Sequence, residues 1–316
     1  MATTIVFPGQ GVQRPGMGKE LYERSPAARR VFEIATELSG RSFTQLCFEA
    51  DEETLMRTEN AQPALLTVCY AAWEALREAV PEFTPDYVAG HSVGEYPALA
   101  ASGIWTLEEA YHWVEERAKA MHKIANRIRG TMAAVIGLEA EKVEEACARA
   151  QAETGEVVVP ANYNSPGQIV ISGTVNAVQK ASEYAKELGA RRIIPLAVAG
   201  AFHSPIMQEA ADLMTEAYKE ANFNPPKIPF FSTIEVRPLS DPEEIRVVMG
   251  RQIASPVKWH QSVEAMHALG VDTFIEVGVG DVLSGLIKRI VPGVRTLRVV
   301  DSKTLDETVQ QLRGEA

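Results

Sequence analysis

The chain has little cysteine, no surplus of basic residues and no long hydrophobic run, and each shortage closes off a class of function. Its three cysteines, Cys47, Cys69 and Cys147, fall at no metal-ligand spacing, which argues against both a disulfide framework and a zinc site. Lysine and arginine number 31 against 42 aspartates and glutamates, for a net charge of −11. A nucleic-acid binder needs a basic footprint to displace counterions, and docking on anionic lipid needs the same sign, so neither partner is expected. The longest apolar stretch, Ala64 to Trp73, is too short to cross a bilayer. The first residues, MATTIVFPGQG, contain neither a basic segment nor a cleavage site, so a cytoplasmic, reduced setting is expected. Two glycine loops also fall short. Gly9-Gln10-Gly11 lacks the third glycine of a dinucleotide fingerprint, and Gly18-Lys19 is followed by Glu20 with no glycine at position 13.

What is present is an ordinary globular balance, 46% apolar and 23% charged, over 316 residues. That length slightly exceeds one hydrophobic core, so a large domain carrying a smaller inserted one is expected. Strand and helix patterns alternate. The run Thr3–Phe7 reads as a buried strand ended by Pro8-Gly9. Helices are predicted over about Lys19 to Leu38, over Gln62 to Val80 with Pro63 in its first turn, and from Leu107 to about Arg129. Between them lie a short strand at Tyr87–Ala89 and a helix at Glu95–Ser102 that Gly103 stops. This alternation predicts an α/β core with a largely parallel sheet. Residues 129–200 read differently, as strand, helix, strand, strand, helix, strand. That βαββαβ order predicts an inserted ferredoxin-like subdomain, with the large core formed by residues 1–128 and 201–316.

Gly90-His91-Ser92-Val93-Gly94 fits the G-x-S-x-G pattern, with an apolar strand entering it and a helix leaving it. The flanking glycines permit the strained turn that lifts a serine hydroxyl clear of a sheet, and amides at the helix start face any charge growing beside it. The five-residue pattern also fits a tight turn with a capping serine. Pro97 predicts a local kink in the helix that follows. A serine nucleophile needs a base. Of six histidines, His112, His122, His260 and His267 fall within helices and read as surface or core residues. His203 follows a loop of small residues after the last strand of the insert and precedes Ser204-Pro205, a helix start. Spacing alone leaves it either the base of Ser92 or a structural residue. His91 is expected to point away and order the turn. By itself Arg117 reads as part of a solvated helix face.

Taken together, several stretches resemble the malonyl-CoA:acyl-carrier-protein transacylase family and the related acyltransferases of polyketide synthesis. They are Phe7-Pro8-Gly9-Gln10-Gly11, Gln62-Pro63-Ala64, Gly90 to Tyr96, Arg117, and Met132-Ala133-Ala134-Val135. Further along come Asn164-Ser165-Pro166-Gly167-Gln168, Ile171-Ser172-Gly173, Phe202-His203-Ser204-Pro205, Gln252 with Ser255-Pro256-Val257 and Trp259, and Glu276-Val277-Gly278 with Leu283. They occur in family order over nearly the whole chain. The resemblance implies an α/β-hydrolase-like core carrying a ferredoxin-like insert. It implies that Ser92 accepts the acyl group, that His203 is its general base, and that the main-chain carbonyl of Gln252 orients the imidazole. The amides of Gln10 and Val93 would hold the oxyanion, and Arg117 would clamp the free carboxylate of a malonyl group. Phe202, Gln62, Asn162 and Met121 are implied as further substrate-binding residues.

The implied chemistry is ping-pong transfer from malonyl-CoA, through a Ser92 ester, to the phosphopantetheine thiol of an acyl carrier protein. No permanently bound cofactor is expected, and the working form is expected to be a monomer. Phe202 resembles the malonyl-selecting pattern, since its ring would fill the space of an α-methyl group, although a modified malonyl unit would also suit Arg117. Val279 stands where the family usually has proline, and Ser232-Thr233 where asparagine is common. Carrier proteins are generally acidic, so docking on this acidic chain requires a local basic patch. The run Arg117–Arg129 has five cations and no acid, and Arg191-Arg192 and Lys288-Arg289 are further candidates. The rival readings are an acyl hydrolase that clears mischarged carriers and a non-catalytic carrier-docking scaffold.

Overall fold

The computed structural model describes residues 2–314. Their strands are β1 (Ala2–Phe7), β2 (Tyr87–Gly90), β3 (Gly130–Ile136), β4 (Val158–Ser165), β5 (Gln168–Thr174), β6 (Arg192–Pro195), β7 (Phe230–Ser232), β8 (Arg237–Leu239), β9 (Val271–Val277) and β10 (Arg295–Val299). Six of them make one sheet in the order β10-β9-β1-β2-β7-β8, parallel throughout except for the β7–β8 pair. The central strands bury apolar side chains on both faces because helices cover both faces of a parallel sheet. Ile5 and Phe7 pack into one core while Val6 and Ala89 pack into another on the opposite face. From β1 the chain proceeds to β2 on one side and later returns as β9 on the other. The carboxyl ends of β1 and β9 therefore flank a switch point, the usual place for a crevice in such sheets, and β2 ends next to β1.

The second sheet has the order β4-β5-β3-β6 and is antiparallel. Its side chains alternate with the pleat. Ala133, Val135, Ile169 and Ile171 pack beneath the helices Ala140–Thr154 and Val175–Glu187, while Met132, Ala134 and Val170 join the large core. The entry and exit of this unit lie against each other. A Cβ on Gly130 would come within 2.6 Å of the Ala201 backbone nitrogen, so the junction needs glycine there. A second tie comes from Val257, whose amide donates to Ala161 and whose carbonyl accepts from Tyr163 on β4.

Several boundaries differ from those the sequence predicts, each for a local reason. The stretch 19–38 is two helices, Lys19–Arg24 and Pro26–Ser39, because Ser25 caps the second through Ala28 with Pro26 at its first position. The helix predicted from Gln62 starts at Thr58, so Pro63 lies inside it; the carbonyl that Pro63 leaves unpaired belongs to exposed Glu59. Pro97 introduces no break. Ser92–Gly94 forms a 3-10 turn, the helix Glu95–Ser102 begins after it, and Pro97 falls in a first turn whose amides have no helical partner. Among the described residues, no helix is long and apolar enough to cross a membrane.

Candidate active site

Strand β2 delivers Ser92 into the crevice in a left-handed conformation with φ 54°. The turn is tight enough that a Cβ on Gly94 would meet the Phe7 carbonyl oxygen at 2.2 Å. Parallel pairing of Phe7 with Gly90, and the bond from the His91 amide to the Phe7 carbonyl, bring the Gln10 loop alongside the serine. His203 is the second non-glycine residue of the crevice with positive φ, at 56°. Conformations of this kind cost on the order of 1–3 kcal/mol each and persist only where surrounding contacts hold them.

The hydroxyl of Ser92 and Nε2 of His203 are 2.7 Å apart. On the other side of the ring, Nδ1 faces the carbonyl oxygens of Gln252, at 3.2 Å, and Ser255, at 3.0 Å. Two acceptors at Nδ1 place the proton there and leave the Nε2 lone pair for the serine. Ser255 is absent from the predicted site, though it falls in the Ser255-Pro256-Val257 stretch. His203 is only 3% exposed, and its pKa is pushed down to about 3 by burial, with the positive charge of Arg117 adding to the effect. The ring is thus a neutral base at ordinary pH.

Arg117 does not lie on a solvated face: it is buried at 1% exposure. Its guanidinium donates to Oε1 of Gln62 at 2.6 Å, to Oε1 of Gln252 at 3.1 Å and to the Ser92 hydroxyl at 3.1 Å. Among the described residues no carboxylate pairs with it directly. One turn on, Met121 shares that helix face and accepts from the Gln62 amide. Gln10, Ser92, Arg117, Met121, Asn162, Phe202 and His203 all line one cavity of about 140 Å³. That is room for a short acyl group beside Ser92. Val93 follows the serine and is buried.

The cavity also takes in residues outside the predicted site: Met132, Val170, Leu196 and Val198. Their signal in the sequence was alternation on strands, which marks a buried face without saying what it faces. His91 corrects an expectation, since it lines the cavity and bonds Asn164 at 2.8 Å. Burial holds its pKa below the usual value. The remaining histidines lie elsewhere; His122 meets Asn126, His260 meets Glu264 and His267 meets the Val271 carbonyl. The Glu276 motif is structural. Its carboxylate accepts from the amides of Leu283 and Ser284, capping the helix Val282–Ile290.

The run Arg117–Arg129 is not the open basic patch it resembles in sequence. Arg117 is buried, Lys119 pairs with Glu116, and Arg127 pairs with Glu209. Arg191, Arg192, Lys288 and Arg289 are all exposed. Arg192 and Gln168 flank Ile136 on adjacent strands, and Arg289 donates to Gln168 at 2.9 Å, so these cations gather at one end of the second sheet.

The family described as acyl transferase domain matches residues 4–303. The chain belongs to the acyl transferase family. It is similar to the malonyl CoA-acyl carrier protein transacylase of Bacillus subtilis (strain 168), 42% identical over 311 residues, or 98% of this chain and 97% of that one. Among solved structures it resembles the acyl-carrier-protein S-malonyltransferase of Burkholderia pseudomallei 1710b, with a TM-score of 0.94 and 37% identity over 98% of this chain and 100% of the other. It also resembles a malonyl-transacylase solved in complex with its type II polyketide acyl-carrier protein, with a TM-score of 0.95 and 35% identity over 98% of this chain and 100% of that one. The half-buried Ser92 and the buried His203 and Arg117 of this acyl transferase thus line one cavity.

Proposed function

We propose that this acyltransferase moves a malonyl group from malonyl-CoA to the phosphopantetheine thiol of an acyl carrier protein, through an ester on Ser92. The observation that carries the reading is Arg117: a buried guanidinium with no direct carboxylate partner, 3.1 Å from the serine hydroxyl. Such a cation is costly to bury unless an anion completes it, and its fork matches a planar carboxylate. A malonyl group supplies that carboxylate two bonds from the thioester carbon that Ser92 attacks.

In the first half-reaction the Ser92 proton passes to Nε2 of His203 as Oγ adds to the thioester carbonyl. The amides of Gln10 and Val93 receive the oxyanion, the C–S bond breaks, and His203 returns the proton to the coenzyme A sulfur. In the second, His203 takes the proton of the carrier thiol, the sulfur adds to the ester carbonyl, and Oγ leaves and regains its proton. The carbonyls of Gln252 and Ser255 stabilise the imidazolium that forms at each step. Gln62 and Met121 brace Arg117, Asn162 closes the polar side, and Phe202 fills the space an α-methyl group would need. Every group needed comes from one chain, which suits action as a monomer without a resident cofactor.

The four-stranded unit has the strand order expected of a ferredoxin-like fold, and we read residues 129–200 as that insert on an α/β-hydrolase-like core of residues 1–128 and 201–316. The exposed cluster of Arg191, Arg192, Lys288 and Arg289 is the docking surface we assign to the acidic carrier. The three cysteines are unpaired and buried, which suits the cytoplasm as its place. Intact-mass analysis after mixing with malonyl-CoA tests the function. A malonyl adduct on the wild type that is lost in Ser92→Ala, and discharged by a carrier thiol, is the expected result. No adduct would overturn it, and release of free malonate without an acceptor would mark an acyl hydrolase instead.

A further inference from the structure

Behind Arg117 lies a buried carboxyl group that the transfer chemistry does not use; burial pushes its pKa up, and hydrogen bonds from Thr233 and Gln252 favour its ionised form. Glu95 opens the helix after the nucleophile turn and is wholly buried. Its Oε1 accepts from the amide of Thr233 at 3.0 Å and from the Thr233 hydroxyl at 2.9 Å. Its Oε2 accepts from Nε2 of Gln252 at 2.7 Å. The other hydrogen of that amide goes to the Ser92 carbonyl at 2.9 Å, and its Oε1 accepts from Arg117. The two ends of this chain are chemically one-sided. A carboxylate only accepts and a guanidinium only donates, so the amide between them has a single satisfactory orientation.

We propose that Glu95 is a positioning residue for acyl-group selection: through Gln252 it fixes the direction in which Arg117 presents its guanidinium beside Ser92. The proposal rests on the reading that Arg117 receives the substrate carboxylate. Thr233 becomes the anchor of the relay. With glutamine at 95, the side-chain oxygen can still take the Thr233 donors, but its NH2 then meets the NH2 of Gln252. Either that contact loses its hydrogen bond or Gln252 turns over and sets a donor against Arg117. Both outcomes release the guanidinium from its aim, whereas the bond between Ser92 and His203 is made by atoms outside the relay.

The test compares the burst of coenzyme A released on Ser92 acylation by malonyl-CoA with that by acetyl-CoA, which has the same thioester and no carboxylate. For Glu95→Gln the malonyl-to-acetyl ratio of kcat/KM is expected to fall by about tenfold, with the acetyl rate changed by less than about threefold. Added to Arg117→Ala, the same substitution should leave the ratio where Arg117→Ala alone puts it, since neighbours acting through one group are not additive. An unchanged ratio in folded Glu95→Gln, or an equal loss for both substrates, overturns the proposal. If Arg117→Ala itself leaves the ratio unchanged, the fault lies in the reading of Arg117 instead. Should Glu95→Gln not fold, Thr233→Val decides. It removes one donor and keeps the amide, so a fall of about two- to threefold supports the relay and an unchanged ratio refutes it.

Discussion

Across the cavity, two surfaces built of different material face each other. On one side Ser92, His203, Arg117 and Gln252 form a hydrogen-bonded set on the parallel sheet and its neighbouring helices, with two of the four residues in left-handed backbone conformations. On the other, Met132, Val170, Leu196 and Val198 from the antiparallel sheet and the segment after it present apolar surface beside Asn162 and Asn164 of β4. The first surface is held by fixed donors and acceptors, so a change there misdirects a proton or a charge. The second only bounds the space, so a change there alters what fits and how well water is kept out. Selection is thereby shared between the two, since Arg117 belongs to the hydrogen-bonded set while the apolar wall bounds the space beside it.

The sharpest way to break that contrast is to remove the base. His203→Ala should lower the rate of Ser92 acylation by on the order of 10²–10⁴, read from the coenzyme A burst, with the cavity wall untouched. Nearly as severe should be Gly94→Ala. Its Cβ would drive into the Phe7 carbonyl, so a large drop in melting temperature is expected along with loss of the adduct. A subtler probe of the polar side is pH. With its pKa pushed down to about 3, His203 keeps its lone pair far into acid, so the acid limb of kcat/KM should lie well below the 6.5 of a free histidine. The same shift sets the sign of its effect on stability. Between about pH 3 and 6.5 the unfolded histidine binds a proton that the folded one does not, so stability falls as pH drops through that window. Melting curves of His203→Gln should show a shallower fall over the same range.

On the apolar side the effects should be smaller and of a different kind. Phe202→Ala should raise turnover of methylmalonyl-CoA relative to malonyl-CoA by about tenfold with little change in the malonyl rate, because a methyl group in an apolar pocket is worth only about 1–3 kcal/mol. Smallest of all, reversing Arg191 and Arg192 to glutamate should raise the KM for carrier protein several-fold in low salt. Acylation by malonyl-CoA should be unaffected, since these residues lie on the surface.

Much of the polar side was legible in the sequence. G-x-S-x-G between a strand and a helix carries its own geometry, and the Phe-His-Ser-Pro stretch marks a histidine at a chain junction. Ser255 was not legible as a partner of His203, because its carbonyl has no side-chain signature. Nor was Glu95, since a glutamate in the first turn of a helix is ordinarily a solvated residue that favours the helix dipole. The basic run after Arg117 misled for the converse reason. Lys119 and Arg127 meet acids, one a turn away and one on a distant helix, that a count within the run leaves out.

The sequence by itself determined the alternation of strands and helices, the second grammar of residues 129–200 and the nucleophile turn, because periodicity and local sterics are properties of neighbouring residues. Only the tertiary structure decided what the charges do. Whether an arginine is a solvated face or a buried group, and whether four separate stretches form one relay from Thr233 through Glu95 and Gln252 to Arg117, depends on which distant groups share a low-dielectric space. That sharing is set by how the chain packs rather than by the order in which its residues are joined.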